Sequence, residues 1–318
     1  MAEVKPFRGI HYDVKRVGDL TRVVAPPYDV ISPEEQEALH RRHPKNITWV
    51  DFGMAKEGDG PGENKYTRAA AWFREWLAEG TLVRDAAPSL YYYEQEFTIP
   101  GKRAYVRKGF LGALKLSAFG EGEVFPHERT LSKPKEDRLA LMRVTDVHMS
   151  PIFALYSDPK DVVLKSLRSA MAAAPDMAAV DDLGVKHRVW TVSQPKALLG
   201  AVEGMKGKGV FIADGHHRYE TALAFRDEMR KKHGANVSRW DLDLVTVILW
   251  ITSTDLMAQT IQTCVWRTLR TSRRISRTMD LWDLTTSSRN RVMTCILNGF
   301  GSVAKNRCNI NTTNTSHL

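Results

Sequence analysis

Apolar and polar positions recur along this chain with two periods, and each period predicts a different element. From Lys65 to Glu79 the apolar residues Tyr66, Ala69, Ala70, Phe73, Trp76 and Leu77 return every three or four positions, the stripe of a helix with one buried face. Asn64 can cap its start and Gly80 its end. Ser32-Pro33-Glu34-Glu35 predicts a second helix start: serine caps, proline suits the first helical position, and Glu35 completes a capping box. It follows Val23 to Ile31, where Pro26 and Pro27 force an extended turn. Leu90 to Ile99 is rich in aromatic residues and reads as a strand, Pro100-Gly101-Lys102 as a turn, and Tyr105 to Leu116 as a returning strand. Further helices are expected near 136–148 and 160–173, with loops at Ala174-Pro175 and Asp181-Asp182. Short strands are expected at Val189 to Val192 and Val210 to Ala213, and a helix from Tyr219 to Lys232 ended by His233-Gly234. Strands and helices alternate without a regular βαβ repeat. The expected fold is therefore mixed α/β (α+β) rather than doubly wound.

The pattern breaks near residue 249. The last 70 residues hold 13 Thr, no Glu, no Pro and one Lys. Thr268 to Arg274 shows neither period, and Asn309 to Thr315 is a polar low-complexity run. Two readings stand, a disordered or divergent extension and an out-of-frame translation, and the composition favours the second. The expected organisation is a domain over 1–248, truncated at its C-terminal side, and an anomalous tail over 249–318.

Charge changes the picture less than its total suggests. The net charge is +9. The tail holds nine Lys/Arg against three Asp, which leaves the first 248 residues with 37 Lys/Arg and 34 Asp/Glu. A polyanion partner needs an organised basic surface, so no nucleic acid is expected. Cys264, Cys295 and Cys308 all lie in the tail, match no zinc spacing and are odd in number. Thiol chemistry is thereby excluded from the first 248 residues. Met1 to Ile10 carries no signal-peptide run. The densest apolar stretch, Leu244 to Ile251, is far shorter than the ~20 residues of a membrane span. A soluble, cytoplasmic protein with a small-molecule partner and no membrane contact is expected.

Three polar clusters carry candidate chemistry. Gly209 to Ala213 is a buried-strand pattern, followed by Asp214-Gly215-His216-His217-Arg218 and then the helix at Tyr219. A strand, a tight turn and a helix start form an anion site, because the first helical amides are unpaired and the dipole is positive there. Gly215 lets a ligand approach, Arg218 can grip phosphate oxygens in bidentate fashion, His216 and His217 can donate hydrogen bonds or move protons, and Asp214 can hold a cation or a hydroxyl. A plain structural role is equally open, with Asp214 as helix cap and the histidines satisfying local backbone. The second cluster is Pro126-His127-Glu128-Arg129-Thr130 with Lys133, Lys135, Asp137 and Arg138. It could clamp phosphates and supply a general base, Glu128 being the best candidate, or it could be a solvated loop. The third is Arg8, Tyr12, Pro26, Pro27, Tyr28 and Asp29, which could equally be a rigid turn.

Pro6-Phe7-Arg8-Gly9, Ala25 to Ile31, His43-Pro44-Lys45-Asn46, His127 to Thr130 with Lys133 to Arg138, and Asp214 to Leu223 together resemble, in order, the bacterial and archaeal family of the domain of unknown function ten-fifteen. The family continues beyond this point with motifs that the tail does not show. The Asp-Gly-His-His-Arg turn is also similar to the signature turn of the ParB and sulfiredoxin superfamily, whose members bind a nucleotide there and some of which phosphorylate free L-serine. That resemblance implies a ParB/sulfiredoxin-like nucleotide-binding core with added strands and helices. It also implies a small-molecule kinase that uses ATP or ADP with Mg²⁺. In that reading His216, His217, Arg218, Gly215 and the helix start hold the phosphoryl group, and Asp214 places the metal or substrate. Glu128 takes the hydroxyl proton, with His127, Arg129 and Lys133 on the phosphates. The rivals are a nucleotide-binding regulatory switch without acceptor phosphorylation, and a metal-dependent hydrolase built on the His pair.

Overall fold

Leu90 and Tyr92 bury their side chains on one face of a sheet, and Tyr91 and Tyr93 bury theirs on the other. A run apolar at successive positions belongs to a strand covered on both sides. The computed structural model describes residues 2–98, 101, 103–126, 133–234 and 242–252. Within them the strands are β1 (Val4–Lys5), β2 (Ile10–Tyr12), β3 (Leu82–Arg84), β4 (Leu90–Thr98), β5 (Ala104–Lys115), β6 (Val124–Pro126), β7 (Ile152–Ser157), β8 (Met177–Val180), β9 (Lys186–Val192), β10 (Val210–Asp214) and β11 (Leu244–Thr252). The helices are α1 (Val14–Val17), α2 (Pro33–Arg42), α3 (Thr48–Asp51), α4 (Lys65–Ala78), α5 (Lys133–Thr145), α6 (Val162–Arg168), α7 (Pro195–Met205) and α8 (His216–His233).

The main sheet runs β6-β10-β7-β11-β5-β4-β9-β8, with β1 also on β5, and β2 and β3 pair separately. β6 with β10 and β7 with β11 are parallel; the remaining pairs are antiparallel. The architecture is mixed α/β, as the interspersed pattern predicts. Leu39 of α2, Val50 of α3 and Phe73 and Trp76 of α4 pack on the face that carries Tyr91, Tyr93, Ile248 and Trp250. Leu164 and Leu167 of α6, Ala201 and Met205 of α7 and Tyr219 of α8 pack on the face that carries Leu90, Tyr92, Val247 and Leu249. Each large apolar side chain buried this way contributes roughly 1.5–3 kcal/mol, and both layers need the same central strands.

The predicted caps are present. Ser32 Oγ accepts from Glu35 N and Glu35 returns the bond to Ser32 N, at 3.2 and 3.1 Å. Asn64 accepts from Tyr66 N and Thr67 N, and Gly80 turns out of α4 at φ +76°. Boundaries moved elsewhere. α5 starts at Lys133 rather than near 136, and α6 is shorter than the expected 160–173. α8 begins at His216 rather than Tyr219, because Gly215 takes the left-handed cap conformation and its carbonyl already accepts from Tyr219 N at 3.0 Å. The boundary after residue 248 falls inside β11, whose Leu249 and Trp250 are buried. Composition averaged over a long window does not resolve the end of one apolar run. Residues 253–318 lie outside the described residues, as do Ile99, Pro100 and Lys102 of the predicted turn.

β5 and β11 approach so closely at Gly109 that an added Cβ would stand 2.5 Å from Leu249 O and 2.7 Å from Trp250 Cε3. The backbone would have to shift. Gly109→Ala is expected to lower stability by ~1–3 kcal/mol, the usual cost of overpacking a core. Gly62→Ala, with nothing within 4 Å of the added atom, should be near neutral. Urea unfolding of both variants checks this; equal stability of the two would deny β11 its central place.

Candidate functional site

Ile212 leads β10 through the core, and the strand ends at Asp214 beside Phe153 of β7, after a register shift between Ile212 and Asp214. Gly215 then reverses the chain at φ +90°, where a β-carbon would be strained and would sit 3.0 Å from the Arg218 guanidinium. Tyr219 anchors the first turn of α8, since its hydroxyl donates to Ser117 O at 2.8 Å and accepts from Ser117 N at 3.0 Å.

Arg218 turns inward from this turn. It is 6% exposed, and its guanidinium donates to Asp214 Oδ2 and to Pro151 O, both at 2.6 Å. Burial works against its charge, but Asp214 and Asp29, with smaller contributions from Tyr28 and Asp51, hold its proton more firmly than usual. Asp214 is thus fixed by Arg218, and the cap of α8 is Gly215 without a side-chain cap bond.

A second buried arginine lies alongside. Arg138 of α5 donates to the backbone and carboxylate of Asp51 at 2.9 Å and to Asp137 at 2.6 Å. Its guanidinium stacks on the Tyr28 ring at 3.9 Å. Burial again disfavours the charge, and Asp51 and Asp137 more than offset it. Ser150 Oγ donates to Asp51 at 3.2 Å. Asp137 also accepts from Lys65 at 2.7 Å and Tyr66 at 2.8 Å. Burial alone would raise its carboxyl, yet Arg138, Lys65 and Tyr66 hold it far below the usual range. Burial lifts the Tyr28 hydroxyl, against the pull of Arg138 and Arg218. A cavity of about 30 Å³ lies between Asp51, Arg138, His148, Ser150, Arg218 and Thr221, room for about two waters.

The fold therefore brings together parts of all three sequence clusters: the Tyr28-Asp29 turn, Asp137 and Arg138, and Asp214 to Arg218. Lys135 adds an ion pair to Glu220 across α5 and α8. His216 is 1% exposed, whereas His217 is only partly buried and offers its carbonyl to Thr221 Oγ1 at 2.6 Å. His127, Glu128, Arg129 and Thr130 lie outside the described residues, and so does the side chain of Lys133. Arg8 and Tyr12 serve elsewhere: Arg8 Nε donates to Asp85 O at 2.6 Å, and the buried Tyr12 donates to Lys45 O at 2.8 Å. Asn46 is a brace, donating to Arg22 O and Val24 O just ahead of Pro26 and accepting from Thr48 at the start of α3. It ties the Tyr28 turn to the helix that carries Asp51.

A family model described as a protein of unknown function, DUF1015, matches residues 4–254. The chain belongs to this family. No curated protein and no solved structure matches it. The family match covers every element described above, β11 included.

Asp51, Ser150 and Pro151 are the site residues that sequence reasoning missed. A single aspartate within Trp49-Val50-Asp51-Phe52 gives one signal, an acid in an apolar setting that needs a buried cation. Nothing marks Pro151, which acts through its carbonyl.

His148, on the cavity wall, gives a pH prediction. Burial lowers its pKa from 6.5 to about 4, although a backbone hydrogen bond with Leu244 opposes the shift. The unfolded chain takes up the proton near 6.5 and the folded chain resists it. Stability is thus complete above about 6.5 and is lost as pH falls towards about 4. In His148→Gln that part of the acid limb should flatten. Melting temperatures of both proteins at pH 7.5, 6, 5 and 4 test this, and parallel profiles would refute it.

Proposed function

We propose that this protein is a small-molecule kinase that phosphorylates a hydroxyl, that of free L-serine in the first instance, with ATP or ADP as donor and Mg²⁺ as the metal. The observation that supports this most is the meeting of the Tyr28-Asp29 turn, Arg138 and the Asp214–Arg218 ion pair at the start of one 18-residue helix. Phosphoryl transfer asks a protein mainly for positioning and for fixed positive potential. A helix start supplies unpaired amides and a positive dipole end. From the resemblance of this turn to that of the ParB and sulfiredoxin superfamily we infer, further, a nucleotide-binding core of that kind.

The residues present suit the groups proposed. Mg²⁺ is held through one or two carboxylates together with phosphate oxygens rather than in an all-protein cage. Asp214 and Asp29 bring two carboxylates to the same arginine. When bound, the metal would neutralise charge on the phosphate oxygens. A nucleotide is far larger than the water-sized cavity, so it would lie on the outer side of the Gly215 turn. There His217 and the first amides of α8 would meet the phosphoryl oxygens. Arg218 would act through Asp214, holding that carboxylate towards the metal or the acceptor hydroxyl, and the buried His216 would support the turn from behind. Glu128 would take the hydroxyl proton, with His127, Arg129 and Lys133 on the phosphates. A transition-metal hydrolase needs three protein ligands, and among the described residues no cluster of three surrounds the His pair.

Phosphorus NMR of the purified protein with Mg²⁺, ATP or ADP, with and without L-serine, tests the proposal. Asp214→Asn is a better control than alanine, because alanine would leave Arg218 buried and unpaired at a cost of ~3–5 kcal/mol. A phosphoserine resonance that needs serine and vanishes in Asp214→Asn is expected, and Glu128→Gln should lose turnover but keep nucleotide binding. Nucleotide binding by the folded wild type without phosphoserine would overturn the kinase and favour the regulatory switch.

A further inference from the structure

Arg107 of β5 is the cation that the site as described leaves out. Its guanidinium lies among three rings, 5.2 Å from Phe97, 5.6 Å from Phe153 and 5.5 Å from Trp250. Phe153 is the residue paired in register with Asp214. The aromatic pocket of Arg107 therefore shares a wall with the Asp214 turn.

The other inward-facing arginines are neutralised by carboxylates: Arg138 by Asp51 and Asp137, Arg218 by Asp214, Arg68 by Asp59. Arg107 has no carboxylate within ion-pair distance among the described residues. Its hydrogen bond to protein is a long one, 3.4 Å to Gln95 Oε1. Arg107 is half-buried; burial lowers its pKa from 12.5 to about 10 against an opposing pull from Tyr93, so the group stays charged at neutral pH. Three ring faces attract the guanidinium. They cannot satisfy five N–H donors in a planar fork, whose best complement is a carboxylate or phosphate.

Gln95 is itself held in one orientation. Its Nε2 donates to Tyr93 Oη at 2.9 Å, which turns Oε1 towards Arg107. The Tyr93 hydroxyl, having accepted that bond, donates to His187 Nδ1 at 2.7 Å, and His187 Nε2 then donates to Asp181 at 3.1 Å. Gln95, Tyr93 and His187 are all buried. A four-residue buried chain thus ends by fixing one acceptor against a guanidinium that keeps its net charge.

We propose that Arg107, on its platform of Phe97, Phe153 and Trp250, is a binding residue for the carboxylate of the small molecule that the Asp214 turn receives. The inference rests on reading that turn as a ligand site. It adds that the acceptor is recognised through its carboxylate, as an acid rather than a neutral alcohol.

The test uses thermal shift with the full chain, because ligand-dependent increments cancel any change in baseline stability. L-serine, D-glycerate and acetate are compared with serinol and glycerol, which lack the carboxylate, on wild type, Arg107→Met and Arg107→Lys. The expected result is stabilisation of wild type by the carboxylates alone, lost in Arg107→Met and partly kept in Arg107→Lys. The apparent affinity should weaken roughly tenfold or more in Arg107→Met, as loss of a charge-assisted hydrogen bond predicts. Equal increments in wild type and Arg107→Met, or none in either, overturn the proposal. So does loss of Mg-ATP stabilisation in Arg107→Met with the carboxylate response intact, since the cation would then serve a phosphate. Failure of the kinase reading looks different: an Arg107-dependent carboxylate response would persist while no phosphoserine forms.

Discussion

The guanidinium groups of Arg138 and Arg218 are buried where α3, α5 and α8 meet the end of β10. Taking such a charge out of water costs several kcal/mol, recovered only through good geometry and satisfied donors. Both arginines meet that condition by reaching across elements. Arg138 joins α5 to the carbonyl and carboxylate of Asp51 at the end of α3, and Arg218 joins α8 to the Pro151 carbonyl ahead of β7. Well-packed apolar residues could hold the same elements together as firmly. What they could not do is fix the direction of the Asp214 and Asp51 carboxylates. The ion network therefore constrains geometry more than it adds stability, and the shape of the candidate site follows from it.

Arg107 shows the opposite treatment of the same charge. A cation paired with a carboxylate at short range presents little net field to a ligand, whereas one held by ring faces keeps its charge. Phe153 is near one of each kind: its ring lies beside Arg107, and in the strand register it pairs with Asp214, the residue tied to Arg218. Charge-neutral pairing suits a residue that orients another. An uncompensated charge suits a residue that meets an anion. The different partners of the two arginines thus leave one charge neutralised by a carboxylate and the other set among rings.

Much of this was legible in the chain, and the gaps have physical causes. The stripe from Tyr66 to Leu77, the capping box at Ser32 and the aromatic strand at Leu90 are local signals, and each element formed where its signal lies. The turn at Asp214 was legible because strand, glycine and helix follow one another directly. Its inward-facing Arg218 was not, because the carbonyl it binds belongs to Pro151, 67 positions earlier in the chain. Asp51 went unnoticed for the same reason: its partner Arg138 is 87 positions away. Arg107 stands in a strand of alternating exposure, Arg103 to Lys108, and reads there as an ordinary solvated cation. Its platform comes from β4, β7 and β11, which only the sheet order brings together.

That sheet order also explains why the site forms at this end of the molecule. α3 and α5 belong to one helical layer, through Val50 and Leu141, and α8 to the other, through Tyr219 and Ala222. In the middle of the sheet the strands keep the two layers apart. Beyond Asp214, among the described residues, α5 comes directly against α8, where Lys135 pairs with Glu220 and Arg143 with Glu228. β10 reaches this gap antiparallel to β7, so the end of one strand lies beside the start of the other, and the register shift before Asp214 breaks the regular pleat at that point. Polar groups from both layers can converge only past the strand ends, which is where open α/β sheets place their ligands.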